Sequence, residues 1–306
     1  MSINKIFYYL KPIIPRRFQI VLRRIIIHYK RKQYVNVWPI DKNTVKMPES
    51  WSGWPENKQF ALILKHDVDT IKGLEKCKNL MELEQNLGFR SSFNFVPERY
   101  FIHHHLRNKL TKNGFEVGVH GLYHDGKLYS SMEVFKKRAK RINHYLKEWK
   151  SVGFNSPSMH HNLAWIHELN IKYDASTFDT DPFEPQPDGI GTIFPFWIKA
   201  NLTYQGYIEL PYTLPQDFTL FVLMKEKNID IWKRKLDWIA ENGGMALLNT
   251  HPDYMNFKGG KLNNEDYPAE YYVQFLKYVK SKYSGIYWHV LPKEVARFFR
   301  KMYSIS

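Results

Sequence analysis

The stretch Phe60-Ala61-Leu62-Ile63-Leu64-Lys65 constrains the fold of this chain more than any other. A nearly unbroken apolar run gives way at once to His66-Asp67-Val68-Asp69-Thr70. A short continuous apolar run with polar boundaries is the pattern of a strand buried on both faces. Comparable runs recur at 91–96, 115–119, 208–212, 245–250 and 287–289. Helical stretches fall among them at 73–87, 106–113, 131–150, 229–241, 270–282 and 292–302, the last opening on Pro292, a favoured first helical residue. Strand and helix alternate, so the expected class is α/β with a parallel sheet. In such sheets ligands gather where the strands reach their carboxyl ends.

Residues with chemistry to offer stand at those ends. Asp67 and Asp69, two apart on a strand, share a face. Two crowded carboxylates repel unless a cation or a shared proton relieves them. The strand at 115–119 runs into His120-Gly121-Leu122-Tyr123-His124, and imidazoles four apart on a helical turn can face one ion. One carboxylate with these two histidines makes a set that leaves positions on a divalent ion open for water and substrate. The strand at 245–250 delivers His251 to the same rim. Singly, each has a blander reading as a solvated turn aspartate or a surface histidine. Their convergence on one rim is what argues for a site.

In order and context, Asp67-Val68-Asp69, His120-Gly121-Leu122-Tyr123-His124 and Leu248-Asn249-Thr250-His251 resemble the NodB-homology polysaccharide deacetylases, carbohydrate esterase family 4. The resemblance spans residues 58–255. It implies a distorted (β/α) barrel that removes acetyl groups from N- or O-acetylated sugars with one divalent metal. Zinc is the first candidate, with cobalt, nickel or manganese behind it. By position it implies Asp67 as catalytic base, Asp69, His120 and His124 as metal ligands, and His251 as general acid. The segment Gly153-Phe154-Asn155 resembles the third family motif, but Asn155 stands where the family carries an arginine paired with the base. Asparagine brings donors without charge, so Asp67 is expected to be less firmly held and to have a different pKa. The family often orients the acid histidine with an aspartate, and Asp179 and Asp181 are both candidates. Trp197 and Phe183 are candidates for a sugar surface, whereas Phe194 and Phe196 lean toward core. His160 and His161 are neighbours whose side chains point apart, a pocket wall rather than a second metal site.

Charge sets residues 1–57 apart from the barrel domain expected over 58–306. Residues 1–32 hold nine Lys and Arg and no acid, against a net charge of +15 for the whole chain. Arg16, Arg23 and Lys30 repeat every seven residues, as do Arg17, Arg24 and Arg31, with Phe18, Leu22, Ile25 and Tyr29 at helical spacing between them. This is a basic amphipathic helix. Its apolar runs are broken by arginines, so it reads neither as a signal-peptide core nor as a membrane span. Docking on the barrel and peripheral contact with an anionic membrane surface are favoured over nucleic acid, for which no base-reading motif is present. Residues 33–57 read as an ordered connector. The lone Cys77 leaves no internal disulfide, which fits a reducing compartment.

The expected function is a carbohydrate N-deacetylase, acting on an N-acetylated sugar, sugar nucleotide or lipid-linked glycan during surface-polysaccharide assembly. Its expected place is the cytoplasm, at the inner membrane surface. A second reading is an amidohydrolase on a small amide or ureide. A third, prompted by Asn155, is a metal- or glycan-binding homologue with weakened catalysis.

Overall fold

A computed structural model describes residues 15–49, 51–199 and 205–303. Strand β1 (Phe60–Val68) is longer than its apolar run. All nine residues are buried, so Lys65, His66 and Asp67 lie inside the protein. It is followed by α1 (Ile71–Leu87), β2 (Ser92–Phe95), α2 (His104–Lys112), β3 (Glu116–His120), α3 (Met132–Trp149), β4 (Gly153–Asn155), α4 (Leu163–Ile166) and β5 (Tyr173–Asp174). The remainder comprises β6 (Phe196–Ile198), β7 (Tyr207–Glu209), α5 (Asp230–Glu241), β8 (Met245–Thr250), β9 (Met255–Asn256), β10 (Tyr267–Pro268), α6 (Glu270–Tyr283), β11 (Tyr287–His289) and α7 (Pro292–Met302). The helix Arg16–Gln33 precedes all of these and is called αN.

Local rules place the boundaries. The Thr70 hydroxyl caps α1 by accepting from the Lys72 amide, and Gly88 ends that helix in the left-handed conformation. Ser131 caps α3 in the same way.

The main sheet runs β11-β1-β2-β3-β4-β5-β7-β6, with β8 paired to β1. Every pairing in it is parallel except β6 with β7. Parallel bridges from Phe178 to Tyr212 and from Leu214 to Leu248 carry the curl round toward β8. The result is a distorted (β/α) barrel. Its strands deliver their carboxyl ends to one rim, as the alternation of elements requires.

αN docks on that rim. Ile20 and Ile27 are buried against the barrel, each contributing about 1.5–3 kcal/mol if fully transferred from water. Arg24 donates to the Val222 carbonyl at 3.0 Å and to Asn264, and Arg16 pairs with Glu265 at 3.1 Å. αN therefore docks, but through Ile20 and Ile27 and the flanking arginines rather than through the apolar stripe that the sequence pattern picks out. Its opposite stripe, Phe18, Leu22, Ile25 and Tyr29, faces outward at 43–65% exposure. The connector is ordered against the barrel: Trp51 stacks on Phe299, and the Trp54 indole donates to the Gly243 carbonyl at 2.8 Å. Among the described residues no helix is long and apolar enough to cross a membrane. Residues 1–14 of the basic arm lie outside the described residues.

Candidate active site

Three ligand atoms, one each from Asp69, His120 and His124, lie within 4.8 Å of one another. The Nε2 atoms of His120 and His124 stand 3.3 and 3.1 Å from Asp69 Oδ1. That oxygen is buried and accepts no hydrogen bond. Lone pairs that converge without bonding each other fit a shared cation. The His120 Nδ1 lies 3.1 Å from the Asn155 carbonyl oxygen. Donating there leaves Nε2 as the free lone pair, the usual orientation of a metal-ligating imidazole. The donor set therefore fits a divalent ion.

The two histidines do not share a helical turn, as their spacing suggested. His120 closes β3, and His124 sits in a loop with φ of 57°. Gly121 makes the corner between them. Its φ is +62°, and a Cβ there would meet the Pro157 ring at 2.4 Å, so a side chain is excluded on both counts. On the other flank, the Asp253 carboxylate accepts from the Asp69 amide at 3.0 Å and from the Thr70 hydroxyl, fixing the turn that aims Asp69.

Asp67 is held by amides on both oxygens. Asn94 donates to Oδ1 at 3.0 Å, and Asn155 and Asn249 donate to Oδ2 at 2.6 and 2.8 Å. Gly118 admits Asn94, whose Oδ1 would lie 2.0 Å from a Cβ at that position. The Lys65 ammonium, itself buried, stands 3.7 Å from Asp67 Oδ2. Burial would raise the Asp67 carboxyl, but Lys65, followed by His120 and His251, outweighs it and brings the value down to about 2. The loosening expected from Asn155 is not seen. Asn155 supplies a hydrogen bond, and the charge arrives from Lys65 on the same strand. Lys65 was missed because a single lysine ending an apolar run reads as the strand's exit to solvent.

Asp217 orients His251; neither sequence candidate does. It accepts from the ring Nδ1 at 2.7 Å and from the His251 amide at 2.8 Å, and the Tyr267 hydroxyl steadies it at 2.9 Å. Burial lowers the imidazolium pKa, but the Asp217 carboxylate, aided by Asp69 and Asp67, raises it to about 10. With Nδ1 engaged, Nε2 is the nitrogen left for the cavity. Asp179 instead pairs with buried Lys235, and burial pushes its carboxyl up to about 6 against that charge. Asp181 accepts from Tyr212 at 3.0 Å, its carboxyl raised by burial and then by Glu184. Asp217 had no signal in the sequence as a partner of His251. It caps the short π-helix Phe218–Leu223 by accepting from the Phe218 amide at 2.8 Å, and only the fold sets it beside His251.

Asp67, Asp69, His120, His124 and His251 line one cavity of about 1050 Å³. αN forms part of its wall through residues that include Arg16, Arg23 and Lys30. Phe183 lines it, but Trp197 does not; that ring lies under Arg300 on β6. Phe194 belongs to the core, packed with Trp51. His161 is held by the Met159 carbonyl and stands apart from the metal-ligand set.

No protein-family model matches the chain, and no curated protein matches it in sequence. Solved structures do. One described as a polysaccharide deacetylase from Mycobacterium smegmatis superposes with a TM-score of 0.63 at 16% identity, covering 85% of this chain and 96% of that one. Puue allantoinase gives 0.62 at 15% identity, covering 88% and 99%. Another described as a polysaccharide deacetylase, from Pseudomonas aeruginosa PAO1, gives 0.59 at 14% identity, covering 83% and 95%. At these identities the likeness is one of fold. The chain therefore has the distorted (β/α) barrel fold that these polysaccharide deacetylases and the allantoinase share.

Proposed function

We propose that the protein is a metal-dependent hydrolase that removes the N-acetyl group of an acetamido sugar or glycan in the assembly of a surface polysaccharide. One juxtaposition carries this reading: three converging ligand atoms share a cavity with a fully ligated carboxylate and an aspartate-backed histidine. A protein that only binds metal or glycan needs neither Asp67 in its cage of amides nor the pair of Asp217 with His251. The division into an arm and connector over 1–57 and a barrel domain over 58–306 belongs to the same proposal.

The roles follow from what each group can do. Asp69, His120 and His124 would hold the ion, zinc in the first instance. When bound, it supplies Lewis acidity, polarising the acetyl carbonyl and lowering the pKa of a water. Asp67 accepts the proton of the water that adds to the acetyl carbon. His251, protonated, gives its Nε2 proton to the nitrogen as the C–N bond breaks, because an amine leaves poorly as an anion. Acetate and a free amino sugar result. Asp217 keeps the imidazole in place and charged until that step.

The outward stripe of αN supports a further part of the reading, peripheral contact with an anionic membrane surface on the cytoplasmic side. Puue allantoinase shares the fold, so ureides belong in any substrate panel.

The test joins metal content to product. Purified protein should carry about one divalent ion, as such three-ligand sites do, and a His120→Ala, His124→Ala variant should carry none. Acetate should appear from at least one N-acetylated sugar, and no ammonia or urea from ureides. Absence of metal from the wild type after incubation with zinc, cobalt, nickel or manganese would remove the reading.

A further inference from the structure

The cavity above the ligand set is lined by cations that a neutral acetamido sugar does not call for. Arg17, Arg23 and Lys30 reach it from αN, and Arg99 reaches it from the barrel rim. Of the carboxylates that line the same cavity, Asp253 accepts from the Asp69 amide and the Thr70 hydroxyl, and buried Glu184 accepts from Tyr212 and Gln216. Asp125 is gripped by Arg138 at 2.7 and 2.8 Å, Glu265 is paired with Arg16, and Asp67 is held by Lys65 and three amides. Among the described residues Arg17, Arg23 and Arg99 form no salt bridge, and the Lys30 ammonium donates to the Pro182 carbonyl at 3.1 Å rather than to an acid. Arg23 rests over the Phe218 ring at 5.1 Å, and its charge also acts on the buried Glu184 carboxylate in the same cavity wall, so it is only partly free for a ligand.

Helix geometry aligns two of these cations, Arg23 and Lys30, with the paired Arg16. Arg16, Arg23 and Lys30 are two turns apart and lie along one side of αN. Ile20 and Ile27 anchor the helix to the barrel, so that side overhangs the cavity. Arg17, Lys30 and Arg99, which no carboxylate grips among the described residues, raise the local potential beside a site that also takes a divalent ion, and an anion relieves it. Guanidinium groups present forked donors that match phosphate oxygens. The volume agrees, because about 1050 Å³ lies just above the range of about 300–1,000 Å³ for drug-sized ligands. A single sugar ring leaves much of it vacant.

We propose that the cavity takes a glycosyl phosphate or diphosphate, with the acetamido group at the Asp69, His120 and His124 set and the phosphate held by Arg17, Arg23, Lys30 and Arg99. This rests on the deacetylase reading for the chemistry at the ligand set; the anion subsite stands on its own residues. Nucleoside-diphosphate sugars and polyprenyl-diphosphate sugars share the phosphate chemistry.

The experiment separates the two layers. The full chain is first stripped of metal with a chelator and dialysed, so that no phosphate binds through an ion. Calorimetric titrations then compare inorganic pyrophosphate, uridine-diphosphate N-acetylglucosamine and N-acetylglucosamine. The phosphorylated probes should bind at least about tenfold tighter than the neutral sugar, and an Arg17→Gln, Arg23→Gln, Arg99→Gln variant should lose about that advantage, as expected for charge-assisted contacts. Equal binding of neutral and phosphorylated probes, or unaltered phosphate binding by the folded triple variant, overturns the proposal. If that variant melts early, Arg99→Gln alone, off the helix, makes the same comparison.

Metal-loaded protein is then assayed for acetate release from a nucleoside-diphosphate and a polyprenyl-diphosphate acetamido sugar, the latter in detergent micelles. Preference for either over the dephosphorylated sugar supports the shared chemistry and identifies its source. Preference for the dephosphorylated sugar counts against it. Pyrophosphate binding without any acetate release strikes the deacetylase reading alone. Acetate release without phosphate binding strikes the anion subsite alone.

Discussion

Lys65 Nζ stands 3.7 Å from Asp67 Oδ2, two residues upstream on one buried strand. Asn155 donates to the same oxygen at 2.6 Å. Hydrogen bond and charge thus come to Asp67 from two residues on different strands. Where the resembling family has one arginine, this chain divides the work. Removing the lysine leaves a buried carboxylate without its nearest cation, which costs about 3–5 kcal/mol in comparable cases. Lys65→Met is expected to lower the melting temperature and to cut acetate release at least about tenfold, as loss of a group that orients a catalytic base does. Metal content should stay at wild-type level. Adding Asn155→Arg to that variant should recover part of the activity. Undiminished turnover in Lys65→Met would show that Asp67 does not depend on the lysine.

Asp217 raises the His251 imidazolium toward a pKa of about 10. A raised histidine is charged below its folded pKa and loses the proton as pH rises through it. Activity that needs protonated His251 should therefore persist into the alkaline range in the wild type. In Asp217→Asn the alkaline limb of the rate profile should move to lower pH, with turnover reduced roughly 10–100-fold, within the range for general acid catalysis. A limb at the same pH in both proteins would assign the acid to another group.

Glu116 gives a stability prediction away from the site. Its carboxyl lies inside the barrel, accepting from the Tyr173 hydroxyl at 2.9 Å and the Lys293 amide at 3.1 Å. Burial pushes its pKa up to about 7, only partly opposed by the Lys293 amide and charge. The folded protein holds this proton more tightly than the unfolded chain. The group's stabilising contribution is complete below the unfolded pKa of about 4.3 and is lost as pH rises through about 7. Thermal melts at pH 5 and pH 8 should show this loss in the wild type and a smaller difference in Glu116→Gln. Between these two pH values the effect is at most about 2.5 kcal/mol. Equal pH dependence in the two proteins would rule the group out.

The outward stripe of αN is tested without touching the cavity by leaving out Leu22, which lines it. Phe18, Ile25 and Tyr29 are exposed, so replacing all three by serine should leave the melting temperature almost unchanged. Binding to phosphatidylserine-containing vesicles, read by co-sedimentation, should fall at least about tenfold on loss of that apolar area. Vesicle binding that survives the substitution would dismiss the stripe as a membrane contact.

Some of this protein is determined locally, and those parts are legible in the sequence. Apolar runs alternating with helical stretches dictate a parallel α/β architecture, because each strand must be covered on both faces. The same rule puts Asp67, Asp69, His120 and His251 on one rim. The amphipathic pattern of 16–33 dictates a helix, and its spacing alone gives the apolar stripe of Phe18, Leu22, Ile25 and Tyr29 beside two rows of basic residues.

What the tertiary structure decided are the relations between residues far apart in the chain. Asp217 meets His251 across 34 residues, and Asn249 meets Asp67 across 182. Nothing periodic marks either pair. Lys65 became buried because β1 continues past its apolar run, a consequence of pairing with β2 and β8 rather than of its own composition. αN came to overhang the cavity because Ile20 and Ile27 found an apolar seat on the barrel rim. Hydrophobic period announces a face that must be covered. It carries no information about which surface will cover it, since burial of apolar area is non-directional.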